Sequence, residues 1–153
     1  MVTARLKPCP FTSMKIHLTR RYMIAASHRL HAPTLSDEQN RDTYGKCNNP
    51  YGHGHNYAVE VTVSGQVDAV TGMVCDLGQL DDCVRSSVVE RFDHQNLNTL
   101  QEFASRVPTT ENLAVAIFNI LKQRFAAAHL EKIRIEETSM NSFEYAGGAE
   151  PRR

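Results

Sequence analysis

Hydrophobic and polar residues change their period several times along the chain, and each change marks an element. From Lys15 to His28 the apolar residues Ile16, Leu18, Tyr22, Ile24 and Ala26 fall on even positions, with Arg20 breaking the series. A period of two predicts a strand. Residues 32–46 are polar, with Pro33 and several turn formers, and predict a long loop. Alternation returns over 56–67, where Tyr57, Val59, Val61 and Val63 share one face and Ala58, Glu60, Thr62 and Ser64 the other. A turn is expected over 68–72.

The period then lengthens. Asp76 stands as a helix cap with Gln79 as its capping-box partner. Leu77, Leu80, Val84 and Val88 form a helical stripe that runs out near Phe92. A turn-like segment follows, Asp93-His94-Gln95-Asn96-Leu97-Asn98. Pro108-Thr109-Thr110-Glu111 opens a second helix, with Leu113, Ile117, Ile120 and Leu121 on one face. Last comes a hairpin pairing 131–138 with 141–146, in which Ile133 and Ile135 alternate with Lys132, Arg134 and Glu136. The order ββααββ predicts an α+β domain over 15–146, with a four-stranded antiparallel sheet against two helices. Segments 1–14 and 147–153 read as loosely held tails. Nothing strongly blunts the sheet edges, so edge pairing between subunits is expected.

Composition narrows the class. With 153 residues and 41% hydrophobic content, the chain has one domain's worth of core. Lys+Arg and Asp+Glu both number 17, so net charge signals neither nucleic acid nor an anionic membrane. No apolar run is long enough to span a bilayer. Cys9, Cys47, Cys75 and Cys83 show neither a C-x-x-C pair nor a disulfide framework. A reducing, cytoplasmic compartment follows. Cys75 and Cys83 read as small core residues, and Cys9 falls in the N-terminal tail. The first 36 residues carry six Lys/Arg and no Asp or Glu. That bias faintly resembles a transit peptide, but without a clear apolar region or cleavage site it reads as a basic arm leading into the first strand.

The chemistry gathers in Tyr44-Gly45-Lys46-Cys47-Asn48-Asn49-Pro50-Tyr51-Gly52-His53-Gly54-His55-Asn56-Tyr57. His53 and His55 are two apart, so an extended backbone aims both imidazoles to one side. Gly52 and Gly54 let the backbone bend and a ligand approach. If the first two strands pair antiparallel through the long loop, His28 reaches the same point. Three histidines with an open fourth position suit a catalytic zinc. Such a site acidifies a bound hydroxyl or water. Cys47 is a candidate base or nucleophile beside it. Asp93-His94 offers a carboxylate and an imidazole for proton transfer, set against a plain helix-ending turn. Glu137 is either a surface charge or an anchor for a ligand with paired N–H donors. His17, His31 and His129 read as surface residues.

Six motifs appear in order between about residues 15 and 146: Ala26-Ser27-His28-Arg29-Leu30, Gly45-Lys46-Cys47-Asn48-Asn49-Pro50, Gly52-His53-Gly54-His55-Asn56-Tyr57, Asp93-His94-Gln95-Asn96-Leu97, Thr109-Thr110-Glu111-Asn112 and Glu137-Thr138. Together they resemble the 6-pyruvoyl-tetrahydropterin synthase family. The resemblance implies a tunnelling fold (T-fold), in which three subunits join their sheets into a twelve-stranded barrel and two trimers stack into a homohexamer. It implies 7,8-dihydroneopterin triphosphate as substrate, with 6-pyruvoyl-tetrahydropterin and triphosphate as products, in tetrahydrobiopterin biosynthesis. It implies one Zn²⁺ per subunit on His28, His53 and His55, and Mg²⁺ accompanying the triphosphate. Cys47 would be the base, Asp93 and His94 would complete a proton relay from a neighbouring subunit, and Glu137 would grip the pterin. Thr109, Thr110 and Glu111 would line its pocket. Phe92 stands where the family usually has leucine, and Ser139-Met140 replaces a more polar pair.

Two rival readings have their own signatures. The related 6-carboxy-tetrahydropterin synthases of queuosine biosynthesis usually have three residues between the cysteine and H-x-H. Here five separate Cys47 from His53. A non-catalytic zinc- or pterin-binding oligomer would need the histidines and Glu137 but neither Cys47 nor Asp93-His94. A hydrolytic zinc enzyme would call for H-E-x-x-H, which does not occur here.

Overall fold

The computed structural model describes residues 14–148. The expected tails fall outside these residues apart from Met14, Gly147 and Gly148, and so does Cys9. Strand β1 (Lys15–His28) and strand β2 (His53–Gln66) pair antiparallel along their whole length, from Lys15 opposite Gln66 to His28 opposite His53. Strand β2 thus starts three residues earlier than the alternation indicates, and its first residue is a histidine.

The loop expected over 32–46 holds structure of its own. Helix α1 (Asp37–Tyr44) is capped by Ser36, whose side chain accepts from the Gln39 backbone while the Gln39 side chain bonds back to Ser36. Asp37 and Glu38 in its first turn favour the positive end of the helix dipole. Buried Asn40 ties the helix to the preceding loop by bonding both the N–H and the carbonyl of Ala32. A short 3-10 turn (Gly45–Asn48) then leads toward β2.

Helix α2 (Leu77–Val84) is capped by Asp76, which accepts from Gly78 and Gln79. It continues through a π-helical turn (Arg85–Val89) into a short α3 (Glu90–Phe92). The π-turn has a sequence cause. Leu80, Val84, Val88 and Phe92 recur every fourth residue, which drifts about 40° per step on an ideal α-helix. The wider π-turn absorbs the drift, and all four stay fully buried.

Strand β3 (Gln95–Asn96) pairs parallel with β1 at Ala26 and Ser27. Helix α4 (Thr110–Arg124) begins at the cap Thr109, and Leu113, Ile117 and Leu121 face the core. Strand β4 (His129–Thr138) pairs with β2, and β5 (Asn141–Tyr145) with β4, both antiparallel. The sheet order is β3-β1-β2-β4-β5. The expected four-stranded antiparallel sheet is therefore a mixed sheet of five, because the segment read as a turn after Phe92 bonds onto the β1 edge.

The core lies between one sheet face and α2–α4, where Ile24, Tyr57, Val59, Val61, Ile133 and Ile135 meet the helical stripes. Cys75 and Cys83 pack against its margin, as their apolar contexts suggest. Arg20, the residue that breaks the β1 alternation, does point to this face. It makes a bidentate pair with Asp81 (3.0 and 2.5 Å), which also accepts from Tyr22 at 2.8 Å. No helix among the described residues is long and apolar enough to cross a membrane.

Candidate active site

Strand register builds the centre of the site. His28 lies directly opposite His53, and Ala26 opposite His55, so the three histidines share the core-side face. Their ligating nitrogens lie within 4.8 Å of one another. The antiparallel pairing expected from the sequence therefore does bring His28 to the H-x-H pair. Gly52 makes this possible: its φ is +72°, and a Cβ there would lie 2.9 Å from the His28 carbonyl oxygen.

His28 is 1% exposed, and its Nδ1 sits 2.8 Å from the Pro108 carbonyl oxygen. A carbonyl can only accept, so Nδ1 carries the proton and Nε2 keeps its lone pair. That lone pair faces His53 Nε2 at 3.1 Å. Burial, reinforced by mutual repulsion, lowers the pKa values of His28 and His53 and favours neutral rings. Neutral imidazole is the form that binds a metal. His55 Nε2 is buried with no hydrogen-bond partner, and Glu137 Oε1 lies 3.7 Å away. The cluster thus combines a fixed tautomer, converging nitrogens and an unpartnered ligating atom, and these residues fit a metal held by three protein ligands.

Glu137 flanks the cluster. Pairing between β4 and β5 slips between Glu136 and Thr138, so Glu137 sits in a bulge with its side chain on the side of Ile133 and Ile135. Thr110 donates to Oε1 at 2.5 Å and Asn141 to Oε2 at 2.9 Å. Burial pushes the Glu137 pKa up, but these bonds and the nearby histidines outweigh it, and the net shift is downward. The carboxylate is held charged. Thr109 serves as the cap of α4, accepting from Asn112, while Glu111 is exposed in the first turn. Of the Thr-Thr-Glu run, Thr110 is the residue that touches the site.

Cys47 stands half-buried beside this group rather than within it. Its carbonyl accepts from Leu30 N–H at 2.8 Å, two residues beyond His28, and its thiol acts electrostatically on Tyr57. Asp93 and His94 lie elsewhere, on the β1 edge. Asp93 accepts from the Ala25 N–H at 2.7 Å, and the His94 N–H donates to the Ala25 carbonyl at 2.6 Å. His94 takes a left-handed φ of 57° and its side chain is 82% exposed. It helps line an open cleft of 520 Å³ with Gln95, Asn96 and His55.

Two residues contribute to the site that the sequence reading names without giving them a role there. Tyr57 is fully buried, its hydroxyl 3.4 Å from His28 Nδ1. The signal was present, since Tyr57 shares strand parity with His53 and His55. Asn48 donates to the Leu30 carbonyl (2.7 Å) and reaches His31 Nδ1 (3.2 Å), so His31 is a half-buried, partnered residue and not a surface one. His17 and His129 are exposed as expected.

Comparison with known proteins agrees with this geometry. The family model for 6-pyruvoyl tetrahydropterin synthase matches residues 17–148. The chain is 49% identical over 132 residues to the 6-pyruvoyl tetrahydrobiopterin synthase of Poecilia reticulata, covering 86% of this chain and 90% of that one. It is 44% identical over 131 residues to the Homo sapiens protein of the same name, covering 85% and 90%. The solved structure of Caenorhabditis elegans 6-pyruvoyl tetrahydropterin synthase superposes with a TM-score of 0.86 at 41% identity, covering 90% of this chain and 99% of that one. The chain belongs to the 6-pyruvoyl tetrahydropterin synthase family and is an enzyme of that family.

Proposed function

We propose that this enzyme converts 7,8-dihydroneopterin triphosphate to 6-pyruvoyl-tetrahydropterin, releasing triphosphate on the way to tetrahydrobiopterin. The observation that carries the reading is the meeting of three converging imidazoles with the Glu137 carboxylate at the end of one strand pair. His28, His53 and His55 would hold Zn²⁺. A zinc ion there supplies a Lewis acid for the substrate's side-chain hydroxyls. The fixed carboxylate of Glu137 accepts two parallel N–H bonds from the pterin amino group and ring. Thr110 orients that carboxylate. Cys47, as thiolate, removes a side-chain proton, and the C–O bond to triphosphate breaks with its electrons leaving on the phosphate. The two side-chain hydroxyls become carbonyls, a loss of four electrons in all; two are taken up as the dihydropterin ring gains two hydrogens and two as the terminal carbon becomes a methyl group on losing triphosphate, so no external oxidant or reductant is required. Asp93 and His94 hold and return protons.

The outward placement of Asp93-His94 supports a role across a subunit boundary. A trimer closing its sheets into a barrel, two trimers forming a hexamer, would bring that corner to a neighbour's histidines. Residues 15–146 form the catalytic domain, and Mg²⁺ accompanies the triphosphate. A cytoplasmic setting suits the free thiol of Cys47.

Product analysis tests the reading. Zinc-loaded protein is incubated with 7,8-dihydroneopterin triphosphate and Mg²⁺, and the pterin is identified by mass. Cys47→Ala and chelated protein serve as controls. The expected result is triphosphate release with a pyruvoyl product in the wild type, absent from both controls. Acetaldehyde release with side-chain loss would move the protein to the carboxypterin branch. Intact pterin binding without turnover would make it a binder.

A further inference from the structure

We infer that Asn48 is the positioning residue for Cys47: its buried side-chain amide locks the turn that carries the proposed base against the chain leaving β1. This rests on the role proposed for Cys47 and adds the residue that sets its place. The turn has little to hold it by itself. Gly45–Asn48 is a single 3-10 turn of four residues. Such turns stay short because their internal hydrogen bonds are poorly aligned. Glycines at left-handed φ flank it, Gly45 at 52° and Gly52 at 72°.

What fixes the turn comes from the three residues after His28. The Leu30 N–H donates to the Cys47 carbonyl at 2.8 Å, and Arg29 Nε donates to the Asn48 carbonyl at 3.1 Å. Two further bonds belong to the Asn48 side chain, which donates to the Leu30 carbonyl at 2.7 Å and to His31 Nδ1 at 3.2 Å. A carbonyl only accepts, so the amide nitrogen must face Leu30. Its second hydrogen then goes to His31, whose own proton sits on Nε2. Asn48 is 7% exposed and is the buried residue of its turn. A buried amide is costly unless its donors are met. Both are met here, and both by the same stretch of chain, so the bonds specify one seating.

Leu30 is therefore tied through its N–H to Cys47 and through its carbonyl to Asn48. It stands two residues from His28, so the base and the histidine centre are set against each other across a short piece of backbone. Removing a proton demands placement within hydrogen-bond reach, and an error of about 1 Å can cost roughly 10²-fold in rate. An asparagine needed only to complete the fold would act on stability and on every ligand alike. One that places the base acts on turnover and leaves the ring and the metal where they are.

The test compares zinc-loaded wild type, Asn48→Ala and His31→Ala. Four quantities are read: steady-state kinetics, neopterin affinity, zinc content, and the rate at which iodoacetamide alkylates Cys47, followed on its own peptide by mass. Asn48→Ala is expected to lower kcat roughly 10- to 100-fold, with KM, neopterin affinity and zinc content within about twofold of wild type. Alkylation should meanwhile speed up severalfold as the half-buried thiol is released. Reactivity toward a small reagent rises while turnover falls. His31→Ala removes one of the two side-chain anchors at a half-buried position. It should move both readouts the same way by about two- to tenfold, the loss of one neutral hydrogen bond. It also carries the test if Asn48→Ala fails to fold. Unchanged kcat and unchanged alkylation would overturn the assignment. A fall in neopterin affinity or zinc content in step with kcat would also overturn it, since Asn48 would then support the fold at large. If Cys47→Ala keeps full turnover, the proposed base falls, while the alkylation rates still decide whether Asn48 holds the turn.

Discussion

The histidine end of the β1–β2 pair and the Asp93-His94 corner are both anchored on β1, three residues apart, yet they are built on opposite lines. At the first, His28 is buried and bonded on Nδ1, and its neighbours converge on its other nitrogen. At the second, backbone and carboxylate are pinned to Ala25 while the imidazole stands out in solvent on a left-handed backbone. One is a finished centre within a single chain. The other is rigid at its root and open at its tip, the form of a group presented to something outside the chain. Proton-transfer groups need placement within hydrogen-bond reach of their target. The corner has the rigidity for that role, and in the proposed relay its target belongs to a neighbouring subunit.

The comparison breaks most sharply at His53. His53→Ala should lose the metal and cut turnover by roughly 10³-fold, since metal-supplied charge stabilisation is worth several kcal/mol. Zinc content by elemental analysis would fall with it. Full zinc occupancy with unchanged turnover would remove the three-histidine centre from the mechanism.

Gly52→Ala should damage the same end through the backbone. It sets a Cβ against the His28 carbonyl at a positive φ, and a loss of about 2–3 kcal/mol in unfolding free energy is expected. Denaturant melts of the apo protein check this. A neutral result would mean that the His28 end shifts freely, contrary to its hydrogen bonding.

At the other corner the expected effect changes sign. His94→Gly removes the strain of a left-handed histidine and should raise stability by about 1 kcal/mol. Turnover should nevertheless fall. Both effects together would show a conformation kept for chemistry. Lost stability with retained turnover would make His94 a structural residue.

How much of this was legible follows the same division. The strand parities gave the core face, the pairing of His28 with the H-x-H pair and the alignment of Tyr57. Period-two patterning states side-chain direction directly. Helix α1 was hidden by its polarity: buried Asn40 is the one residue it commits to the core, so it carries no apolar stripe. Ser36 and Gln39 nonetheless spell a capping box, and that signal was readable. Strand β3 was not, because two residues carry no periodicity and their pairing depends on where Ala25 lies in space. Glu137 was readable as a carboxylate near a strand end. Its partners Thr110 and Asn141 come from separate elements, which no local pattern joins.

The smallest effect expected is the pH dependence of apo-protein stability, and it probes the histidine end alone. His28 and His53 have folded-state pKa values below the ordinary 6.5, chiefly because burial disfavours their charged forms. Below 6.5 the unfolded chain takes up protons that the folded one refuses. Stability is therefore fully present above that value and is lost as pH falls from 6.5 toward the lower folded values. Glu137, whose net shift is also downward, adds a second loss only below its ordinary 4.5. The Tm of chelated protein should accordingly begin to fall just under pH 6.5, well before the carboxylates titrate. A Tm flat down to pH 5 would mean that the folded histidines accept protons as readily as the unfolded chain, and the neutral, metal-ready centre would lose its physical basis.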